Sequence, residues 1–412
     1  MKIGQFAKEF SVSVDTVRYY IETGLLIPEK ANTQYRMNTI CMEDMELINE
    51  LKHYRFSLKE IHKILSLKRL TNSGNNIDMS YFSSLLMEKK KGLLEEKAQI
   101  SNVIHSIDSK INREIMKEME QDHVTMGVPL LFVPLLSCPH CQSELNLQQA
   151  SILGQRIYEG SLRCSCGYQA EIKEGILFTS NLQSSPNKYS IYEIDVGKWN
   201  PDFVSIIEKG KLWMYNELLH QTLENKVILE TNIEVSMMLP KYLSTLPKNT
   251  TYIFTCYSLE MIKTLKKSIE KLHPHLSVLY IVNSDLQLPL AHRSIDFFID
   301  STSSTQYSLI YKESPFHILK RYLKNNSCII GNSVYYEANT KSLKKIQSLY
   351  PTPSPNAFHP NYLEKEMEEH HFKFSNKEII GSTQNPGSYF AYHDENEKMN
   401  FLGYTARYSV SE

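Results

Sequence analysis

From Asp78 to Glu120 the chain runs for some forty residues without a proline, and five isoleucines mark one side of that run. Ile100, Ile104, Ile107, Ile111 and Ile115 step by four, three, four and four residues. That spacing lays an apolar seam along one face of an α-helix, and Phe82, Leu86 and Leu93 carry it toward the amino end. The run EKKKGLLEEK supplies a charged, solvated face around the seam. A helix of this length extends about 60 Å, too far to fold back into one small globule. The stripe could pack within its own chain, but with no helix of like length nearby the pattern predicts pairing between subunits. A rod of this kind divides whatever precedes it from whatever follows.

Four zones result. Residues 1–70 hold short helical patterns separated by turns, 77–122 the rod, 129–180 a cysteine cluster, and 195–412 apolar β-like runs alternating with helical stretches. Polar joints fall at 71–76 and 179–187. A length of 412 residues suits two to four domains. The 45 Lys and Arg balance 46 Asp and Glu, so any basic surface is local. No apolar run reaches a membrane span, and no charged-then-apolar leader opens the chain, which predicts a cytoplasmic protein.

In the first zone Ile3, Phe6, Ala7 and Phe10 share one helical face. Ser13 can cap a second helix from Val14 to about Glu22, which ends at Gly24, a left-handed terminus. Two short helices joined by a tight turn form a helix-turn-helix, whose second helix enters the major groove. There Arg18 and the tyrosine hydroxyls of RYY could reach phosphates and base edges; the bland alternative is a small bundle with a solvated polar face. Ser57 and Glu60 form a capping box for a later helix. The stretches IGQFAKEFSVSVDTVRYYIETGLLIP, then YR, then FSLKEIHKIL resemble the DNA-binding domain of the MerR family of bacterial transcription regulators. The resemblance implies a winged helix-turn-helix with Ser13, Thr16, Arg18 and Tyr19 at the DNA and Tyr35 and Arg36 in the wing. It also implies an antiparallel coiled coil joining two protomers, binding between promoter elements, and RNA polymerase as a partner. Two positions depart from the family: Gln34 and Arg55 stand where glycine is usual. Arg55 either adds a phosphate contact or is simply solvated. Residues 1–70 carry 11 basic against 9 acidic side chains, so DNA binding would depend on placed contacts and dimerisation rather than bulk attraction.

The third zone reads SCPHCQSEL and, 22 residues after Cys141, RCSCGYQAEI. Cys138, Cys141, Cys164 and Cys166 can form a closed tetrahedron for a structural Zn²⁺; His140 is a possible substitute ligand, and a redox dithiol or free thiols are the alternatives. The remaining cysteines, Cys41, Cys256 and Cys328, sit in apolar runs as core residues. LRCSCGYQAEIKEGILF resembles the zinc ribbon that precedes certain bacterial ribosomal-RNA guanine methyltransferases.

Strand-like runs KVILET, TYIFTC, LSVLYIVN, IDFFID and SCIIGNSVYY alternate with helical patterns, which predicts a doubly wound α/β sheet; FKFSNKEIIGS and GYTARYSV would be antiparallel additions. VNSDLQLPLAHRSIDFFIDSTSS resembles the third and fourth motifs of class I S-adenosylmethionine-dependent methyltransferases, with Asp285, Leu288, Pro289 and Asp296 matching. The glycine-rich turn after the family's first strand is missing from VILETNIEVSMMLP, so backbone could not approach a cofactor closely there. Cys256 stands where the family has the ribose-binding acid. Glu230, Asn232, Cys256, Tyr257 and Asp285 outline a candidate ligand pocket, and no catalytic residue is indicated. Trp199, Trp213 and Met214 would either line that pocket or pack in the core. The expectation is a regulator with a degenerate methyltransferase-like sensor. An active methyltransferase on RNA or a small molecule that also controls its own promoter is the second reading, and a ribbon that recruits a protein the third.

Overall fold

A computed structural model describes every residue except 32–33, 71–78, 120–124, 180–198, 232–236, 351–357, 389 and 410–412, and is silent on the side chains of 31, 79–80 and 112–119. The chain divides into Met1–Asp122 and His123–Glu412. In the first unit, α1 (Ile3–Glu9) buries Phe6 and Ala7. Helix α2 (Val14–Glu22) starts where the Ser13 hydroxyl accepts the Thr16 N–H, and Gly24 follows at φ +75°. Strands β1 (Glu29–Ala31) and β2 (Gln34–Arg36) form an antiparallel hairpin. Helices α3 (Thr39–His53) and α4 (Leu58–Leu70) complete the head. Ser57 and Glu60 bond reciprocally at the start of α4, as a capping box requires. The core joins Phe6, Val17, Tyr20, Met45, Ile48, Ile61 and Leu65, and Phe82, Leu85 and Leu86 of α5 (Met79–Met119) pack against it. Helix α5 is 41 residues long in all. The joint at 71–76 lies outside the described residues, as does most of the joint at 179–187.

The second unit is built on one sheet of twelve strands. Its ribbon part holds β3 (Val128–Pro129), a 3-10 turn at Leu130–Leu135, β4 (Asn146–Leu153), β5 (Arg156–Arg163), β6 (Gln169–Lys173) and β7 (Ile176–Thr179). The α/β part adds α6 (Pro201–Leu219), β8 (Val227–Thr231), α7 (Leu239–Tyr242), β9 (Thr251–Cys256), α8 (Leu259–Leu272), β10 (Ser277–Val282), β11 (Ile295–Ser301), α9 (Ser303–Ile310) and α10 (Pro315–Leu319). It closes with β12 (Leu323–Tyr335), α11 (Lys341–Leu349), α12 (Tyr362–Glu369), β13 (Phe372–Thr383) and β14 (Met399–Tyr408).

The strand order across the α/β part is β13-β14-β12-β11-β8-β9-β10. Strands β8 to β12 pair in parallel, so the order reverses between β8 and β11, a doubly wound Rossmann-like topology. Strand β14 is antiparallel to both β12 and β13. Both late strands are thus added by antiparallel pairing, β14 on β12 and β13 on β14. The ribbon does not stand apart from the α/β part as the sequence zones suggested. Strand β7 pairs in parallel with β10, Leu177 opposite Ile281 and Phe178 opposite Val282. Trp213 and Met214 belong to the apolar core between helices and sheet, with Met214 fully buried and Trp213 packed against it, and Cys41, Cys256 and Cys328 are buried. Among the described residues no helix is long and apolar enough to cross a membrane.

Candidate nucleic-acid interface, metal centre and ligand crevice

Helix α2 divides the RYY triplet between two tasks. Tyr20 turns into the core, and its hydroxyl accepts from Lys52 Nζ at 3.3 Å. Tyr19 stays half exposed, and Arg18 projects beside it, held by Asp15 at 3.2 Å. Ser13 and Thr16 share a hydroxyl–hydroxyl bond of 2.8 Å at the exposed start of the same helix. Ser13, Arg18 and Tyr19 are thus exposed and Thr16 half-buried over the first two turns of the helix. Tyr35 and Arg36 are exposed on β2. Gln34 sits in ordinary extended strand, whereas Arg55 takes up φ +62°, the left-handed region. That is the conformation glycine adopts freely and arginine does not. Arg55 reaches Glu96 of α5 at 3.6 Å on the surface.

The four cysteines of the ribbon converge. All their sulfurs lie within 4.8 Å of one another, with Cys138 to Cys166 at 3.4 Å and Cys141 to Cys164 at 3.3 Å. Two knuckles bring them in: Gln142 N–H reaches back to Cys138 O with Gln142 at φ +60°, and Gly167 N–H to Cys164 O with Gly167 at φ +96°. Among the described residues this is the one group of His, Cys, Asp and Glu compact enough to hold a metal ion such as zinc. His140 is not part of it; its ring packs edge-on against Tyr168 at 5.3 Å. Burial pushes the Cys138 thiol up to about 12. The Ser143 hydroxyl and N–H pull the exposed Cys141 thiol down to about 6. Four soft thiolates with no open position fit a closed structural Zn²⁺ site.

In a doubly wound sheet a ligand sits at the carboxyl ends of the strands, where the order reverses. Glu230 ends β8 there, but it is fully buried and already bonded: it accepts from Met238 N–H at 2.8 Å, Leu239 N–H at 3.1 Å and the Ser301 hydroxyl at 2.6 Å. Desolvation raises its carboxyl to about 7 against those bonds. Asn232 lies outside the described residues. Cys256 is buried at the end of β9 with Ser258 N–H at 3.4 Å from its sulfur, and Tyr257 beside it is half-buried. Asp285 is half-buried beyond β10, accepting from Gln287 N–H at 3.0 Å and Asn283 Nδ2 at 3.2 Å. Asp296, at the start of β11, accepts Val227 N–H at 3.0 Å and pairs with Lys324 at 2.7 Å, so it registers the two central strands and faces away from the crevice.

A second buried carboxylate was not singled out from sequence. Asp300, near the end of β11, accepts the Ser303 hydroxyl at 2.7 Å, Ser304 N–H at 2.8 Å, the Ser304 hydroxyl and the Tyr404 hydroxyl of β14. Ser303 also accepts from Thr231 at 3.1 Å, joining the ends of β8 and β11. The serine-rich run DSTSS was the available signal. This network occupies the carboxyl end of β11 with bonded polar groups; the segment after β8, where the methyltransferase pattern has its glycine turn, lies outside the described residues at 232–236.

The MerR HTH family regulatory protein model matches residues 1–68, which places a DNA-binding domain of that family at the amino end. No curated protein matches the chain. Solved structures similar to it include a SAM-dependent methyltransferase from Aquifex aeolicus, 14% identical over 55% of this chain and 99% of that one, TM-score 0.35. Others are the YcgJ protein from Bacillus subtilis, 9% identical over 50% and 99%, TM-score 0.38, and geranyl diphosphate C-methyltransferase from Streptomyces coelicolor, 9% identical over 54% and 88%, TM-score 0.39. These TM-scores are low, and the fold assignment rests on the strand order.

Proposed function

We propose that this chain is a transcription regulator that binds double-stranded promoter DNA as a homodimer joined along α5, holds a structural zinc at its four cysteines, and responds to a small molecule through its α/β unit. The observation that carries the proposal is the set of polar side chains at the start of α2, Ser13, Thr16, Arg18 and Tyr19, inside a segment matched by the MerR family model. Arg18 and Arg36 supply charge-assisted contacts to phosphate or guanine, and the hairpin tyrosine and arginine grip the backbone beside them. Two heads tied by one rod engage two half-sites together, which compensates for the weak basic excess of each. Distortion of the promoter spacer is how such a dimer would help RNA polymerase.

The α/β unit serves as sensor rather than catalyst, because Glu230 and Asp300 spend their oxygens on protein donors. The second reading, an active S-adenosylmethionine-dependent methyltransferase, is favoured by one observation: Asp285 stands beyond β10 in a complete doubly wound sheet.

Capture of genomic DNA fragments by the purified protein, with and without S-adenosylmethionine, tests both. Enrichment of discrete palindromic fragments is expected, with Arg18→Ala weakening their binding about 10- to 100-fold. No enrichment over random fragments would sink the regulator reading. Methyl transfer from S-adenosylmethionine to RNA or to a small molecule added to the same protein would move the second reading ahead.

A further inference from the structure

The loop that carries Asp285 is held by the ribbon. On one side, Asn283 organises the turn: its carbonyl oxygen accepts Asp285 N–H at 3.2 Å and Leu286 N–H at 2.8 Å, and its amide donates to Gln287 O at 3.2 Å. The same amide donates to the Thr179 hydroxyl at 3.2 Å, and Thr179 closes β7 of the ribbon. On the other side, the segment leading into the first cysteine knuckle binds the loop directly. Ala291 N–H donates to Leu135 O at 2.8 Å, and Ser137 N–H to Pro289 O at 3.2 Å. Leu136 bridges Leu290. Inside the knuckle, Gln142 donates its side-chain amide to Cys138 O at 3.0 Å and accepts His292 N–H at 2.9 Å. One side chain thus bonds both the knuckle and the far end of the Asp285 loop.

We propose that the four-cysteine cluster, through Gln142 and the 135–137 segment, positions the Asp285 loop, so that metal occupancy of the ribbon decides whether the crevice beyond β10 is formed. The proposal rests on the zinc reading above and adds a task to it. In small structural zinc sites the binding energy of the ion is also folding energy. Without the ion Cys138 and Cys141 lose their common anchor, and with them go the turn that presents Gln142 and the strand that carries Ser137. The loop has no regular secondary structure of its own between β10 and β11; further bonds come from Tyr322 at Leu288, Tyr311 at Ser284 and Arg321 at Gln287, none of which reaches 291–292. Gln142 is a positioning residue, and the readout needs no ligand and no activity.

The test is amide hydrogen exchange of the full-length chain, with zinc counted by elemental analysis. The intact protein should hold one zinc per chain. Stripping it with a chelator should speed exchange across 283–292 at least tenfold, leave β8 unchanged, and be reversed by zinc alone. Gln142→Gly suits the left-handed backbone at this position (φ +60°). It should keep its zinc yet speed exchange at the His292 amide about tenfold, the loss of one hydrogen bond. If the stripped chain unfolds throughout the second unit, the glycine variant decides. Full zinc content with an unchanged His292 amide overturns the proposal, as does loss of zinc with no change at 283–292. A chain that contains no zinc and takes none up overturns the zinc reading itself, and the metal count separates that result from the other two.

Discussion

Arg69, in the last turn of α4, sets one guanidinium nitrogen 2.7 Å from the carboxylate of Asp44, a buried acid on the core side of α3. The same guanidinium donates to the carbonyls of Gly24 at 2.8 Å and Leu25 at 2.7 Å, just beyond the end of α2. Lys68 reaches Asp44 at 3.1 Å. The chain leaving α2 is therefore held by an ion pair between α3 and α4 whose acid is buried. Removing one partner of such a pair leaves an uncompensated charge and costs about 3 kcal/mol. Asp44→Ala should speed hydrogen exchange in α2 and α3 about hundredfold. A change below about threefold would mean that solvent replaces the pair.

Glu230 makes the second unit pH-dependent. Desolvation raises its folded carboxyl to about 7, above the ordinary 4.5. Between those values the native state keeps a proton that the unfolded chain has released. Its stabilising effect is therefore complete below about pH 4.5, falls as pH rises, and is gone above about 7. The span corresponds to roughly 3 kcal/mol. The chain's two tryptophans, Trp199 and Trp213, both lie in this unit, so urea unfolding followed by tryptophan fluorescence reads it alone. Stability should drop between pH 5 and 7.5 in the wild type, and Glu230→Gln should flatten that slope. Parallel slopes in the two proteins would show that Glu230 is already ionised.

Arg55 carries backbone strain that its usual family counterpart would not. A non-glycine residue in the left-handed region costs about 1 kcal/mol. The pair it makes with Glu96 is mostly exposed on both sides and adds little. Arg55→Gly should leave the head as stable or more so, read as slower hydrogen exchange in α3 and α4. DNA binding separates the two roles left open for the side chain. If Arg55 touches phosphate, the glycine variant binds more weakly and the slope of log affinity against log salt falls by about one. If it is only solvated, affinity and slope stay put.

What the sequence disclosed here was local. The Ser13 cap, the Gly24 terminus and the Ser57–Glu60 box each involve residues within four positions of the feature they make, so spacing alone exposes them. The cysteine quartet was readable because only a metal-like geometry gives two close pairs a common purpose. The undisclosed parts are long-range. Asp44 looks like one acid among several on α3, and its meaning comes from Arg69 twenty-five residues on. The β7–β10 pairing joins segments a hundred residues apart, and nothing in either strand's pattern announces the other. Glu230 matched a cofactor acid by position, but the backbone amides that occupy it come from α7, whose location depends on the fold.

The last prediction concerns the rod. Ile100, Ile104, Ile107 and Ile111 are each about half exposed, along with Leu94 and Val103; the side chain of Ile115 lies outside the described residues. Four isoleucines at heptad-like spacing on a solvated helix leave a long apolar strip in water, which a second copy of the helix would cover. On that account the protein should sediment at twice its 47.8 kDa chain mass at micromolar concentration. Charges placed in the middle of the strip, Ile104→Glu with Ile107→Glu, should return it to 47.8 kDa without loss of helix content. Because each head alone is barely basic, the monomeric variant should lose at least about hundredfold in DNA affinity, the advantage of engaging two half-sites at once. Ile152→Glu, an equally exposed isoleucine in β4 of the second unit, controls for the added charge and should change neither mass nor affinity. A double variant that stays dimeric would place the dimer contact elsewhere, and the strip would then need another occupant.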